Sequence, residues 1–303
     1  MRVTQHAVAL TSLQGLNSNL GALQRLQQQM TSGKTISQPS DDPTGTNTSM
    51  ITRQGIASAT QQARNISDGQ TFLDSTDTAL QNMLDQVRKV RDLTVQALNN
   101  GAMDAQSQQA VATQVTGIRE SLLGQANQVV QGHPLFAGAT TGSVAYQDDG
   151  TGTYVYKGVG DGTDSRTWMT RQVSDVEGIR VDITGPEALG VPGSGKDMFG
   201  VVGNIAKDVG DPTALTNDLS DLDNVIDGLT TALADIGTRS ARMQAAATNN
   251  ANQQLTLQTQ LSTTENIDLP KTIMNLQMQQ VGYQAALAAT AQALQPTLVQ
   301  FLR

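Results

Sequence analysis

The chain has 303 residues, a formal net charge of −8 at pH 7 and no cysteine. An acidic surface repels phosphate backbones, which argues against a nucleic-acid partner, and a chain without cysteine has no disulfide or thiolate chemistry. Aromatic residues make up 3% of the chain and charged residues 15%, which favours long helices with narrow apolar seams over a thick aromatic core. No segment is long and apolar enough to span a membrane, and the first residues do not resemble a cleaved signal peptide.

The first segment carries an apolar repeat of the coiled-coil kind. Leu13, Leu16, Leu20 and Leu23 follow 3-4-3 spacing, and Met30 continues the pattern. This spacing predicts an N-terminal helical arm with one apolar seam.

A break with two prolines and two aspartates follows this arm. Asp42 is placed to cap a new helix, and Pro43 suits the first position of that helix. We predict that Asp41, Asp42 and Pro43 form a joint that sets the angle between the arm and a helix bundle.

Two long helices and a third, shorter one are predicted outside the arms. The first has apolar positions at Ile66, Leu73, Leu80, Met83, Val87 and Val90, and the shorter helix is expected from Asp104 to Gln131. The other long helix, from Pro212 to Thr264, is roughly 80 Å long at ~1.5 Å per residue, so it must lie beside the long helix of the first half. Its apolar positions alternate by four and three: Leu215, Leu219, Leu222, Ile226, Leu229, Leu233 and Ile236.

The amino-acid composition of the chain is different between residues 133 and 196. It is rich in Gly, Asp and Thr, and it holds most of the aromatic residues. Short β-prone runs at 153–156, 167–169 and 179–183 predict a small β-rich insert.

The C-terminal segment shows two apolar stripes. One comprises Ile273, Leu276, Tyr283, Leu287 and Leu294, and the other Met274, Met278, Val281, Ala285 and Ala288; Leu298 and Phe301 lie near the end of the chain. A single partner helix can cover only one stripe, so we expect another copy of the chain to cover the second. The alternative is that the β-rich insert or the long helices of the same molecule cover it. The apolar residues of the first stripe and of the N-terminal seam, with Leu298 and Phe301, are the predicted assembly interface.

The predicted fold is mainly α: a long-helix bundle with paired coiled-coil arms and a small β-rich insert. We expect the arms at 1–38 and 268–303, the bundle at 39–132 and 197–267, and the insert at 133–196. The chain could also be a signalling helical hairpin, although the β-rich insert is unexpected in one.

Four segments carry a family resemblance. They are Leu26–Lys34 with Asp41–Gly45, Ala63–Asp77, His133–Thr140 with Tyr154–Gly158, and Asp268–Leu302. Together they resemble the bacterial flagellin superfamily, most closely its hook–filament junction branch, with a flagellin-like fold. His133-Pro134 stands where the family motif usually begins with an aromatic residue, which is a small departure from the pattern.

The resemblance implies a structural adapter that joins the hook, through a neighbouring hook-associated protein, to the flagellin filament. It further implies self-assembly through the terminal helices, an export chaperone, and a place outside the cell in the flagellum after export without a cleaved signal. The alternative is a short flagellin, the bulk subunit of the filament.

Catalytic and metal-binding motifs are weak. Gly190 to Lys196 has the spacing of a phosphate-binding loop, but Asp197 stands where Ser or Thr should hold magnesium. The two histidines, His6 and His133, have no second ligand at zinc spacing. We therefore expect no enzymatic activity, cofactor or metal.

Overall fold

The computed structural model describes residues 5–99, 104–140, 142–150, 152–161 and 163–294. In the two terminal helices, side chains are described from residue 10 and up to residue 292. The described helices are α1 (Gln5–Ser32), α2 (Pro43–Asn99), α3 (Ala105–Ala126), α4 (Gly185–Leu189), α5 (Met198–Asp208), α6 (Pro212–Glu265) and α7 (Leu269–Leu294).

The chain divides into two compact units. One comprises Met1–Ser58 and Gln253–Arg303, and the other comprises Ala59–Asn252. Helices α2 and α6 contribute residues to both units. The predicted domain boundaries at 38, 132, 196 and 267 stay a prediction.

The seam of α2 is buried as its spacing predicts. Leu73, Leu80, Met83, Val87 and Val90 are fully buried, and Ile66 nearly so. Gly69 lies in the same line, where a Cβ atom would come within 2.6 Å of Met243 on α6 and 3.2 Å of Val181 in the insert. The seven-residue repeat is therefore confirmed here.

The seam of α6 is rotated slightly from the predicted one. The most buried line comprises Leu215, Leu222, Val225, Leu229, Ala232, Ile236 and Met243. The predicted Leu219, Ile226 and Leu233 are only half-buried and flank that line. Asn250, which interrupts the apolar pattern, is buried, and its Nδ2 donates to the carbonyl of Ala59 over 3.0 Å.

Helix α3 ends earlier than predicted, at Ala126 rather than Gln131. The reason is Asn127, whose Oδ1 accepts from the amides of Ala145 and Tyr146 and whose Nδ2 donates to the Tyr146 carbonyl. These bonds hold the chain against the next strand pair and prevent another helical turn.

Among the described residues, three two-stranded antiparallel ladders lie in the insert and directly before it. They are β1 (Val129–Val130) with β2 (His133–Pro134), β3 (Tyr146–Asp148) with β4 (Tyr154–Tyr156), and β5 (Thr170–Gln172) with β6 (Gly178–Arg180). The strand predicted at 167–169 is wrong, because a 3₁₀ turn covers Ser165–Thr167 and β5 begins at Thr170. The predicted strand at 179–183 is shorter than expected, and α4 and α5 were not predicted.

Aromatic contacts attach the insert to α5 and α3. The rings of Tyr146 and Tyr154 each meet the ring of Phe199 edge-on, with centroids 5.0 Å apart. The Arg119 guanidinium lies 4.4 Å from the centroid of Tyr154, and its Nε donates to the Phe199 carbonyl. Such pairs add about 0.5–1.5 kcal/mol each beyond the area they bury.

Charged groups form a second attachment of the insert, to α6. Arg180 pairs with Asp182 and Glu187 at 3.1 and 2.7 Å and lies 4.6 Å from the ring centroid of Trp168. Arg239 on α6 donates to the Asp182 carbonyl. Burial raises the pKa of Asp182, although Arg180 opposes that shift.

A pH-dependent stability is expected from two acids at the α5–α6 turn. Burial, and then the charge of Asp208, raise the pKa of Asp218 to about 6, and the Oδ2 atom of Asp218 is buried without a hydrogen-bond donor. The ionised form is therefore disfavoured in the folded state, and its destabilising effect grows as pH rises through 6 and vanishes below the ordinary value of 3.8. Asp218→Asn should raise the melting temperature at about pH 8 and leave it unchanged at about pH 4.

Asp227→Asn, at an exposed position of α6, is the control for this variant. Thermal melts of both variants at the two pH values give the comparison. An equal effect of Asp218→Asn at both would contradict the prediction.

Candidate functional site: the terminal helix pair and its joint

The two terminal helices pack against each other and run antiparallel, because α1 ends where α7 begins. The facing positions are half-buried: Leu16, Asn19, Leu23, Leu26 and Met30 on α1, and Leu276, Gln279, Tyr283 and Ala286 on α7. Both sets follow alternating steps of three and four, as in a coiled coil.

The predicted interface residues differ in exposure: some face the partner helix of this pair and others face solvent. Leu16, Leu20, Leu23, Met30, Leu276 and Tyr283 are half-buried, whereas Leu13, Ile273 and Leu287 are exposed. Leu298 and Phe301 lie outside the described residues, and only the backbone of Leu294 is described. Their part in assembly stays a prediction.

A polar contact interrupts the apolar seam of the pair. The Gln279 Nε2 donates to both the backbone carbonyl and the Oδ1 of Asn19, each over 3.3 Å. A polar residue in a coiled-coil seam lowers stability but favours the register in which it finds its partner. Sequence reasoning missed both residues, although an amide within a leucine repeat is a recognisable signal.

The second stripe of α7 lies on the face opposite the α1 contact. Met274, Met278 and Val281 are 59%, 63% and 66% exposed, and Ala285 and Ala288 continue the stripe. Five exposed positions therefore repeat the four-and-three spacing of the buried seam. We call these five residues the outer stripe.

A short backbone ladder joins the segment after α1 to the segment after α6. Lys34 and Asn266 form an antiparallel bridge, the Thr35 amide donates to the Glu265 carbonyl over 2.6 Å, and the Ile267 amide donates to the Gly33 carbonyl over 3.2 Å. Gly33 has a φ of +68°, a conformation that glycine adopts without steric cost. The ladder thereby holds the end of α1 next to the start of α7.

A buried carboxylate stabilises this ladder. Glu265, whose side chain is 7% exposed, accepts two hydrogen bonds from Arg53 at 2.9 and 2.7 Å and lies 3.1 Å from the Lys34 ammonium. The bonds from Arg53 are the main reason that the pKa of Glu265 falls to about 2. Sequence reasoning missed this site, although Glu265 is the only carboxylate between Asp235 and Asp268.

The predicted joint residues shape the loop between α1 and α2. The Asp41 carboxylate accepts from the amides of Ser37 and Gln38, which lowers its pKa, and Asp42 Oδ1 accepts from the Gly45 amide over 2.9 Å. The predicted helix cap at Asp42 is thus confirmed, with α2 beginning at Pro43. Whether this loop acts as a joint in an assembly stays a prediction.

The loop with phosphate-binding spacing leads into a helix, but a carboxylate caps that helix. Asp197, almost fully buried, accepts from the Gly200 amide at the start of α5, and Lys196 pairs with Asp221 over 3.4 Å. Asp197 thereby places a negative charge where a phosphate would bind. Within the described ranges there is no cluster of three or more metal-ligating side chains and no helix long and apolar enough to cross a membrane.

Comparison with known proteins identifies the family. The bacterial flagellin N-terminal helical region matches residues 3–141, and the bacterial flagellin C-terminal helical region matches residues 219–302. These matches cover α1 to α3 and most of α6 with α7. The chain belongs to the flagellin family, a family of structural flagellar proteins.

Individual relatives differ in how much of the chain they match. Flagellar hook-associated protein 3 of Salmonella typhimurium is 23% identical over 310 aligned residues, which cover 94% of this chain and 95% of that protein. Flagellin of Bacillus subtilis is 29% identical but covers only 42% of each chain. A solved structure described as a flagellar hook-associated protein from Vibrio parahaemolyticus has the same fold, with a TM-score of 0.66 and 20% identity over 74% of this chain and 99% of that one.

The buried carboxylate leads to a prediction for the ladder. Glu265→Gln should lower the free energy of unfolding by about 1 kcal/mol, a modest value because Arg53 is 54% exposed and can be rehydrated. Amide hydrogen exchange at Thr35 and Ile267 should become faster. Glu177→Gln, which breaks an exposed pair with Arg242, is the control and should leave both amides unchanged.

The polar contact leads to a prediction for the register. Asn19 lies opposite Gln279 in the antiparallel pair. Leu16, three residues before Asn19, should therefore lie opposite Tyr283, four residues after Gln279. Because the chain has no native cysteine, Leu16→Cys with Tyr283→Cys should cross-link, and Leu16→Cys with Leu276→Cys should not.

Replacing both Asn19 and Gln279 with Leu should raise the melting temperature and allow some cross-linking at 276, because only the ladder at Lys34 and Asn266 then opposes a shift of register. Retention of the single cross-link at 283 in that background would show that the polar contact does not select the register.

Proposed function

We propose that the chain is an adapter subunit of the bacterial flagellum that joins the hook to the filament by assembling through its terminal helices. The observation that carries this proposal is the outer stripe of α7. α1 occupies the opposite face of α7, so within the helix pair the outer stripe has no partner. Full burial of a Met or Val side chain stabilises by about 1.5–3 kcal/mol, so covering Met274, Met278 and Val281 strongly favours association.

A helix from another copy of the chain is the best occupant of the outer stripe. The stripe has coiled-coil spacing, which suits a helix rather than a sheet or a loop. The far side of α1 is mainly polar, with Gln14, Arg25 and Gln28 exposed and Leu10 as an exposed apolar residue on the same side. Each subunit therefore offers one apolar outer face, and the proposed interface combines it with the exposed flank residues Leu13, Ile273 and Leu287.

The partners and the location follow from the same proposal. The subunit contacts further copies of itself, flagellin on one side and another hook-associated protein on the other, with an export chaperone before assembly. It lies outside the cell, exported without a cleaved signal, and it works by contact rather than by catalysis. In this assembly, 1–38 and 268–303 are the inner arms, 133–196 is the outer insert, and Asp41, Asp42 and Pro43 are the joint.

A short flagellin is the second candidate, supported by the partial similarity to flagellin of Bacillus subtilis. The full-length similarity to a hook-associated protein supports the adapter. Deleting the gene should leave hooks intact and release flagellin into the medium if the chain is the adapter. Immunogold labelling should then mark only the hook tip, whereas label along whole filaments would establish the flagellin alternative.

The outer stripe gives a mutational test. Val281→Asp should abolish filament formation in the deletion strain, because association would bury an unpaired charge. Gln284→Asp, an exposed position of α7 outside the stripe, should restore filaments. Both purified variants should keep the helix content and melting temperature of the parent. Filaments in the Val281→Asp strain would rule out the outer stripe as an assembly surface.

A further inference from the structure

The described methionines of this chain range from fully buried to largely exposed. Met83, Met198 and Met243 are fully buried in the core, whereas Met274 and Met278 on α7 are 59% and 63% exposed. Met274 and Met278 are one helical turn apart, and both belong to the outer stripe. A thioether at such a position is open to small oxidants in the free subunit.

The relevant reaction is oxygen transfer to sulfur. A peroxide gives one oxygen atom to the thioether sulfur, its O–O bond breaks, water leaves, and the side chain becomes a sulfoxide. The sulfur is oxidised by two electrons and the peroxide is reduced by two. The product is polar and chiral, so an apolar side chain that suits a helix–helix seam becomes one that must be desolvated when it is buried.

We propose that Met274 and Met278 form an oxidation-sensitive modification site that controls whether a free subunit can assemble. This inference rests on the proposed function, because it concerns the face on which another copy docks. Peroxide oxidises the two sulfurs in the free subunit, and the sulfoxides keep that subunit out of the assembly. A neighbouring helix shields the same sulfurs once the subunit has assembled. Methionine sulfoxide reductases restore the oxidised free subunit with two electrons from a dithiol reductant, which becomes a disulfide while the oxygen leaves as water.

The structure supplies a control at another exposed methionine. Met50 on α2 is 65% exposed, which makes it as open to peroxide as the two residues on α7, but it lies outside the outer stripe. Its oxidation therefore reports solvent access without affecting the proposed docking face.

The first part of the experiment measures which sulfurs react. The purified full-length chain is treated with hydrogen peroxide, and its peptides are analysed by mass spectrometry. Met274, Met278 and Met50 should gain oxygen while the folded protein keeps Met83, Met198 and Met243 unmodified. Equal oxidation of the buried and exposed groups in folded protein would overturn the inference.

The second part measures assembly on hooks isolated from the deletion strain, with flagellin added and filament growth as the readout. Peroxide should abolish filament growth for the parent chain and for Met50→Leu, and treatment with sulfoxide reductases should restore it. For the double variant Met274→Leu and Met278→Leu, growth before and after peroxide should be the same, whatever its untreated rate.

The outcomes separate the two proposals. If the untreated parent chain fails to support growth on these hooks, the proposed function is wrong and this inference falls with it. If the untreated chain works but peroxide leaves it active, or inactivates the double variant as strongly as the parent, only the oxidation-sensitive site is refuted.

Discussion

The structure depends on one constraint: each long helix buries a single line of side chains that repeats every seven residues. A line this narrow leaves the rest of the helix surface polar, which accounts for the few aromatic residues and the many Gln, Asn and Thr. Polar residues also occur inside the line where they can bond within their own helix. Thr76 and Thr94 are fully buried, and each hydroxyl donates to the carbonyl four residues earlier, at Phe72 and Val90.

The apolar lines are buried more completely in the core than at the chain ends. The facing lines of α2 and α6 reach full burial, because the insert and α5 add to the same core cluster. The facing positions of α1 and α7 are only half-buried, and α7 carries a further apolar line on its other side. A helix pair that is incomplete by itself suits a subunit whose ends are completed by neighbouring copies.

Electrostatics act at few positions, but at consequential ones. Most exposed ion pairs contribute little, since water screens them and the side chains lose entropy. Glu265 differs because its carboxylate is buried beneath Arg53 and Lys34, next to the backbone ladder that joins the two arms. Asp218 shows the opposite case, a buried acid oxygen with no donor, so its neutral form is favoured. One acid stabilises its region when charged and the other when neutral.

The sequence alone determined the long helices, the insert and the two stripes of α7, because a helical period records which faces are apolar without reference to any partner. It also determined the cap at Asp42, since capping involves neighbours a few residues apart. Only the tertiary structure decided that Glu265 pairs with Arg53, 212 residues away in the chain, and that Asn127 ends α3 by bonding to β3. The same holds for the face of α6, where Val225 rather than Ile226 lies deepest. Two adjacent apolar residues look alike in sequence, and which of them is buried depends on how the neighbouring helices and the insert pack around them.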